Sequence, residues 1–354
     1  MKIKVLSGPV KVQSAPEQKH NYFGWPSIVR LKNGDVAVAG SGYRLEHICP
    51  FGKAVMSVSH DDCLTFSEPE TVIDTVLDDR DSGLCPFDES GLIVTSFNNT
   101  VAFQRSCCNE GEIKEYLDSV NSDEEKAALG SEFRVSFDNG QTFGPVYHSP
   151  VTSPHGPIQV RDGRILWLGR VFMKEEFGIE GEEIRCCSLN PQTGECTFVG
   201  AVPDIAVEGI MGCEPYMAEL ADGTLIAHIR AERKGYFTLY STESKDGGVT
   251  WSQPVRILPK RGGSPAHLLL HSSGVLISAY GYREKPYGIR LMLIPEGKGR
   301  AQEFVLWDKG CDADLGYPAT VEKKDGTLFT VFYAHTTDDG HAEILGIHWK
   351  ITDD

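Results

Sequence analysis

Ser136-Phe137-Asp138-Asn139-Gly140-Gln141-Thr142-Phe143 and Ser244-Lys245-Asp246-Gly247-Gly248-Val249-Thr250-Trp251 are two copies of one motif, Ser-x-Asp-x-Gly-x-Thr-aromatic. A third copy, Ser59-His60-Asp61-Asp62-Cys63-Leu64-Thr65-Phe66, departs from it by placing Cys63 at the glycine position. These residue types suit a hairpin turn. Asp and Ser side chains bond the turn's own backbone, Gly takes the positive φ, and the aromatic ring tucks beneath. Three copies spread along the chain indicate a repeated architecture.

A longer repeat runs through the same chain. Each copy has a small or proline-containing start, an apolar stretch, a turn with glycine and a second apolar stretch. The copies span 25–40, 81–97, 153–170, 213–230, 264–282 and 316–335, with turn glycines Gly34, Gly91, Gly163, Gly223, Gly274 and Gly326. Intervals of 51 to 72 residues between these glycines match a four-stranded propeller blade with generous loops. Six copies predict an all-β fold: a six-bladed β-propeller of four-stranded antiparallel blades. Segments such as 28–31, 225–229 and 328–332 read as strands bounded by turns. The single helical pattern, 118–129, falls in the longest interval and reads as part of an insertion around 105–130. The first strand, 3–6, is expected to pair with the segment near 344–351 and close the ring. No linker or low-complexity stretch divides the chain, so residues 1–354 read as one domain.

Composition narrows the function. Hydrophobic residues make up 40% and charged residues 24% of the 354 positions, as in soluble globular proteins. A net charge of -16 argues against nucleic acid or an anionic membrane as partner, since both need a basic face. An acidic sugar still fits if a few arginines converge. No apolar run is long enough for a signal peptide or a membrane span. The ten cysteines lack CxxC or zinc-type spacing and read as reduced thiols in a cytoplasmic protein. No spacing calls for a metal or cofactor. Homo-oligomer formation is left open.

In a propeller the start of each innermost strand points into the central funnel, the natural place for a site. Those starts hold Gly24 and Trp25, Arg80 and Asp81, His155, Glu214, Ser264 and His267, and Tyr317. The ends of the following strands add Arg44, Arg170, Arg230, Arg283 and His335. The collection is polar and rich in arginine. The run Asp78-Asp79-Arg80-Asp81 reads equally as an acid/base at Asp81 or as a salt-bridged corner.

The turn motif resembles the Asp-box of sialidases and related β-propellers. The stretch from Cys213-Glu214-Pro215-Tyr216 to His228-Ile229-Arg230 is similar to the sialidase segment that carries a Glu on one strand and an Arg at the end of the next. Asp314-Leu315-Gly316-Tyr317-Pro318 resembles the segment of the family's tyrosine nucleophile. The resemblance covers nearly the whole chain. It implies Tyr317 as nucleophile, Glu214 as its base, and Arg230 with Arg283 as a clamp for the substrate carboxylate. Tyrosine's ordinary pKa of about 10 makes such a base necessary, and arginine's planar fork meets a carboxylate in two places.

Two departures stand out. Gly24, in Phe23-Gly24-Trp25-Pro26-Ser27, occupies the position of the family's first arginine. The stretch 44–53, where the family carries its acid/base Asp, holds only Glu46 and His47 as proton carriers. The expected function is an exo-acting sialidase-like glycosidase on a terminal acidic sugar of a small oligosaccharide or conjugate. His47 or Asp81 would protonate the leaving group, and Trp25, Arg44, Arg80, Arg170 and His155 would complete the binding site. The alternatives are a lyase or hydrolase acting on uronic-acid oligosaccharides, and a non-catalytic sugar-binding propeller.

Overall fold

The computed structural model describes residues 1–175, 177–233, 236–258, 262–337 and 341–352. Six antiparallel sheets succeed one another along the chain. Blade 1 comprises Tyr22–Arg30, Val36–Arg44, Lys53–Ser59 and Glu70–Ile73. Blade 2 comprises Leu84–Phe87, Gly91–Phe97, Ser131–Ser136 and Tyr147–Ser149. Blade 3 is built on Ile165–Val171, Ile184–Leu189 and Cys196–Val202, with the short pieces Val151–Thr152 and Ile158–Gln159 sharing its inner edge. Blade 4 begins at Met211–Glu219, blade 5 at Gly263–Leu270 and blade 6 at Gly316–Glu322. The ring closes as expected: Lys2–Val5 pairs with Ala342–Thr352 as the outer strand of blade 6. Val10–Gln13 adds a second, unexpected pairing to that strand.

The core is divided among the blade interfaces. One apolar cluster lies between each pair of neighbouring blades, and Phe329, Val331 and Ile344 of blade 6, for example, face Ile28, Val36 and Val38 of blade 1. Alternation along each strand sends one set of side chains to each neighbour, so no blade can bury its faces alone.

Each copy of the opening motif joins the third strand of a blade to its fourth, on the face opposite the funnel. In blade 2 the Asp138 carboxylate accepts from Ser136 Oγ (2.6 Å), Thr142 N (2.9 Å) and Thr142 Oγ1 (2.5 Å). Ser136 Oγ in turn accepts from Gly140 N. The other two copies repeat this pattern. These donors hold the Asp61, Asp138 and Asp246 carboxyls down at about 2. Gly140 and Gly248 sit at φ 85° and 93°, and Cys63 adopts 72° in their place.

Two expectations need correction. The helical pattern at 118–129 is not one helix. Gly111–Ser119 ends before Asn121, whose side chain caps a new helix, Ser122–Ala128, through a capping box with Glu124. A further helix, Val101–Cys107, precedes both. The first two helices pack on the loop at 45–51 and on Leu77 through Val101, Ile113 and Leu117, and the third reaches the cluster only through the partly buried Ala128. Gly91 is the second: it is a strand residue, and the blade 2 turn takes its positive φ at Asp88 (45°). No helix among the described residues is long and apolar enough to cross a membrane.

Asp138→Ala removes an acceptor shared by three donors and is expected to lower unfolding stability by about 1–2 kcal/mol. Equilibrium urea denaturation at neutral pH reads this directly. The difference shrinks as pH falls through about 2, where the wild-type carboxylate itself becomes protonated.

Candidate active site

Four inner-strand starts hold a non-glycine residue in the left-handed region: Trp25 (φ 52°), Asp81 (55°), Glu214 (46°) and Tyr317 (49°). Strand pairing skips a register at Gly24/Ser27, Cys213/Tyr216 and Gly316/Ala319. Proline comes directly after each of these three bulged residues, so one of the two positions that each skip bypasses has no N–H to leave unpaired. Such backbone costs on the order of 1–3 kcal/mol per residue and collects where function demands it. Here it turns four side chains toward the axis.

Tyr317 and Glu214 meet across the funnel. The Tyr317 hydroxyl donates to Glu214 Oε1 at 2.6 Å, and Arg230 Nη1 holds Glu214 Oε2 at 2.6 Å. The same nitrogen lies 3.3 Å from the Tyr317 oxygen, while Arg230 Nη2 pairs with Glu232 at 2.7 Å. Burial, then the Glu214 and Asp81 carboxylates, raise the Tyr317 phenol well above 10. Burial pushes Glu214 up, but Arg230, the Tyr317 hydroxyl and Arg283 outweigh it, so its carboxyl lies below the ordinary value. The pair therefore rests as neutral phenol and carboxylate, the state in which Glu214 can accept the phenolic proton.

A second cluster adjoins the first. Asp314 accepts from the Tyr22 hydroxyl (2.8 Å), the Tyr333 hydroxyl (2.7 Å) and His47 Nδ1 (2.9 Å). Burial opposes its charge, yet His47 and these hydroxyls hold it well below the carboxylate range. His335 bridges Asp312 at 3.0 Å and approaches Asp314 at 3.7 Å. His47 stands edge-on to Trp25, and its Nε2 faces Arg80 Nη2 at 3.4 Å. Burial lowers the His47 pKa below 6.5; Asp314 raises it and Arg80 lowers it. Gly24 is confined between rings: a Cβ there would lie 3.2 Å from Tyr22 and 3.5 Å from Tyr333.

The arginines divide by role. Arg44 is fully buried. It pairs with Asp78 at 2.5 Å and donates to the carbonyls of Glu46 and His47, so it anchors the loop that bears His47 rather than reaching a ligand. Arg80 lies over Trp25 at 4.2 Å, with Arg44 at 4.7 Å from the same ring. Trp25 is thereby enclosed, with 0% exposure, and presents no face for a sugar to stack on. Arg283 lies 5.8 Å from the Tyr317 ring centroid and donates through Nε to Leu315 O. Among the described residues its two terminal nitrogens have no hydrogen-bond partner. Arg170 pairs with Glu183 at 3.3 Å.

A cavity of about 360 Å³ opens beside Glu214, walled by Asp81, Arg170, Arg230, Glu232, Phe172 and Met211 among others. Asp81 Oδ1 is buried there without a hydrogen-bond partner, with Arg80 Nε 3.8 Å away, and burial raises the Asp81 carboxyl to about 7, against the pull of Arg80. In the run at 78–81, Asp78 forms a salt-bridged corner with Arg44 and Arg80, and Asp81 lies within ion-pair distance of Arg80 Nε at the edge of the cavity.

His155 is not brought into this group. It is 1% exposed, bonds Ser27 Oγ and packs edge-on to His267 and Tyr216 in the channel interior, where burial lowers it to about 3. Sequence reasoning missed Tyr22, Tyr333, Asp314 and Glu232. Asp314 lies in the same segment as Tyr317, and Tyr333 pairs across from Gly316, so proximity to the tyrosine segment was the available signal. No group of three or more His, Cys, Asp or Glu among the described residues is arranged to hold a metal ion.

Fold and funnel together define a six-bladed β-propeller of four-stranded antiparallel blades. Solved structures similar to this chain share that architecture. A protein of unknown function from Dyadobacter fermentans superposes with TM-score 0.80 at 19% identity, over 99% of both chains. NanB sialidase from Streptococcus pneumoniae gives 0.68 at 13% identity, over 97% of this chain and 70% of that one. The intramolecular trans-sialidase from Ruminococcus gnavus gives 0.65 at 14%, over 95% and 96%. No protein-family model matches the chain, and no curated protein matches it in sequence. At these identities the likeness establishes the fold, and the chemistry must be argued from the site.

Asp81 provides a check on the electrostatics. A carboxyl raised from 3.8 to about 7 favours folding at low pH and loses that contribution as pH rises through its folded value. Asp81→Asn is therefore expected to unfold at a higher temperature than wild type near about pH 8, with the advantage gone by about pH 4. Thermal melts at the two pH values measure it.

Proposed function

We propose that this propeller is an exo-acting glycosidase that removes a terminal sialic acid or related acidic sugar from small oligosaccharides or conjugates. The observation that carries the reading is the 2.6 Å bond from the Tyr317 hydroxyl to a Glu214 carboxylate fixed by Arg230. In the first step the Tyr317 oxygen bonds the anomeric carbon while its proton passes to Glu214. The bond to the leaving oxygen breaks, and that oxygen takes a proton from His47. In the second step water attacks the same carbon and gives a proton to His47. The tyrosyl oxygen departs and recovers its proton from Glu214, so the product retains its anomeric configuration. A neutral nucleophile suits a sugar whose own carboxylate sits beside the reacting carbon. The free nitrogens of Arg283, with Arg230, are the clamp for that carboxylate. Arg80, from blade 2, stands in for the arginine that the chain lacks at Gly24, and Arg170 lines the cavity that receives the rest of the sugar.

Tyr317→Phe is expected to lower kcat on short sialylated oligosaccharides by about 10³-fold or more with the fold intact, read by mass spectrometry of released acidic sugar. Unchanged turnover sinks the tyrosine mechanism. The pH profile separates the two proton donors. With His47 as acid the rate falls as pH rises through a value below 6.5, whereas Asp81 would place that limb near about 7.

One observation favours a second reading. His47 Nδ1 lies 2.9 Å from an Asp314 carboxylate oxygen, which can only accept and so favours the neutral tautomer protonated at Nδ1, with a lone pair on Nε2. That is the form of a base, and it suits elimination across a uronic acid whose carboxylate the arginines neutralise. Products one water lighter than hydrolysis requires, from uronate-containing oligosaccharides, identify this outcome.

A further inference from the structure

The His47 side chain is held from several directions. Asp314, just before the inner strand of blade 6, faces Nδ1 at 2.9 Å. Tyr22, on the inner strand of blade 1, contacts the same nitrogen at 3.3 Å and donates its own proton to Asp314. Arg80, from blade 2, faces Nε2 at 3.4 Å, and Arg44 from the second strand of blade 1 grips the His47 carbonyl. Tyr333 donates to Asp314 Oδ1, the oxygen that also faces His47, and His335 Nε2 lies 3.7 Å from Oδ2, itself paired to Asp312. Three hydrogen-bond donors converge on this one carboxylate, with His335 at ion-pair distance beyond them. The carboxylate can only accept, so each contact forces a proton outward from its donor.

We propose that Asp314 is a positioning residue: through Nδ1 it sets the tautomer and plane of His47, so that Nε2 is the nitrogen turned toward Arg80 and the substrate. This rests on His47 being the proton carrier of the site described above. The logic is that of a base oriented by a third group. A free imidazole distributes its proton between two nitrogens and rotates about its side chain. Anchored by Asp314, it presents one nitrogen in one direction, and the proton it gains or loses in turnover travels through Nε2 alone. Asp314 touches no reacting atom. Tyr22 and Tyr333 orient the carboxylate in the same way, and Gly24 lies beside both rings, where a Cβ would press on Tyr22 at 3.2 Å.

The test reads tautomer and kinetics separately. Full-length protein with 15N-labelled histidine reports which His47 nitrogen is protonated, with His47→Gln assigning the signal. Wild type should show Nδ1–H. In Asp314→Asn, where the side-chain amide can donate, and in Asp314→Ala, where no acceptor remains, the Nε2–H form should appear. For any acidic oligosaccharide that wild type turns over, both variants should lose about 10²-fold or more in kcat with little change in KM. The alkaline limb should move to lower pH, because the group that raises the His47 pKa is gone. Near-UV circular dichroism verifies the fold, and Tyr333→Phe, which loosens Asp314 without touching His47, should give a smaller loss. An unchanged tautomer in both variants overturns the proposal. So does unchanged kcat and pH profile in variants of a protein whose turnover Tyr317→Phe abolishes, and the tyrosine mechanism then stands without Asp314. If wild type turns over nothing, a switched tautomer still supports the positioning role, and the glycosidase reading is the one that has failed.

Discussion

The site depends on a local backbone constraint. Trp25, Asp81, Glu214 and Tyr317 lie on different blades, yet each takes the left-handed conformation at the mouth of its inner strand. An ordinary strand would alternate these side chains between neighbouring blade interfaces. The bulge breaks that alternation once and directs a side chain along the axis instead. Two features hold the strain in place: a proline directly after three of the four residues, and a tight apolar interface below all of them. The rigid part of each blade therefore begins one residue beyond the chemistry, which keeps the reacting groups near the funnel mouth while their backbone stays immobile.

Charge is buried here in alternating sign. Arg44, Arg80, Arg230 and Arg283 interleave with Asp78, Asp81, Glu214 and Glu232. A lone buried ion costs several kcal/mol, and losing one member of a buried pair costs about 3–5 kcal/mol. The arrangement therefore behaves as a unit. The Arg44–Asp78 pair has no exposure at all, and its contribution is to fix the loop that carries His47. The helical insertion packs on the same loop from outside, so a feature peripheral to the propeller bears on the position of an axial residue.

The repeat length, the turn motif and the glycine turns made the propeller legible, because each expresses a local rule: a hairpin needs its positive φ, and a blade needs four apolar strands. Tyr317, Glu214 and Arg230 were legible through their segments. What the sequence did not disclose is which arginines face outward. Arg44 ends its blade's second strand and Arg230 lies near the end of Leu225–Arg233, yet Gly52 leaves room for Arg44 to turn inward against Asp78, where a Cβ would collide with it. Trp25 likewise looked like a sugar platform until Arg80 and Arg44 covered it. Tyr22, Tyr333 and Asp314 escaped notice because their meeting is a property of neighbouring blades, not of any one segment. The helix at 118–129 failed at Val120, where Asn121 caps a new start more effectively than the backbone could continue the old one.

The closing seam of the ring runs between blades 6 and 1, and the Asp314 cluster straddles it. Tyr22 and Asp314 are 292 residues apart in sequence, His47 and Asp314 267. Contacts of that span are among the last that a folding chain can form. During synthesis the first blade must wait, its inner strand unpartnered on one side, until the sixth emerges and Trp349 and its neighbours accept the strand at Lys2–Val5. The proton-handling corner thus becomes complete at the moment the circle does. A chain that stalls as an open arc carries many of the parts of the site and none of its geometry.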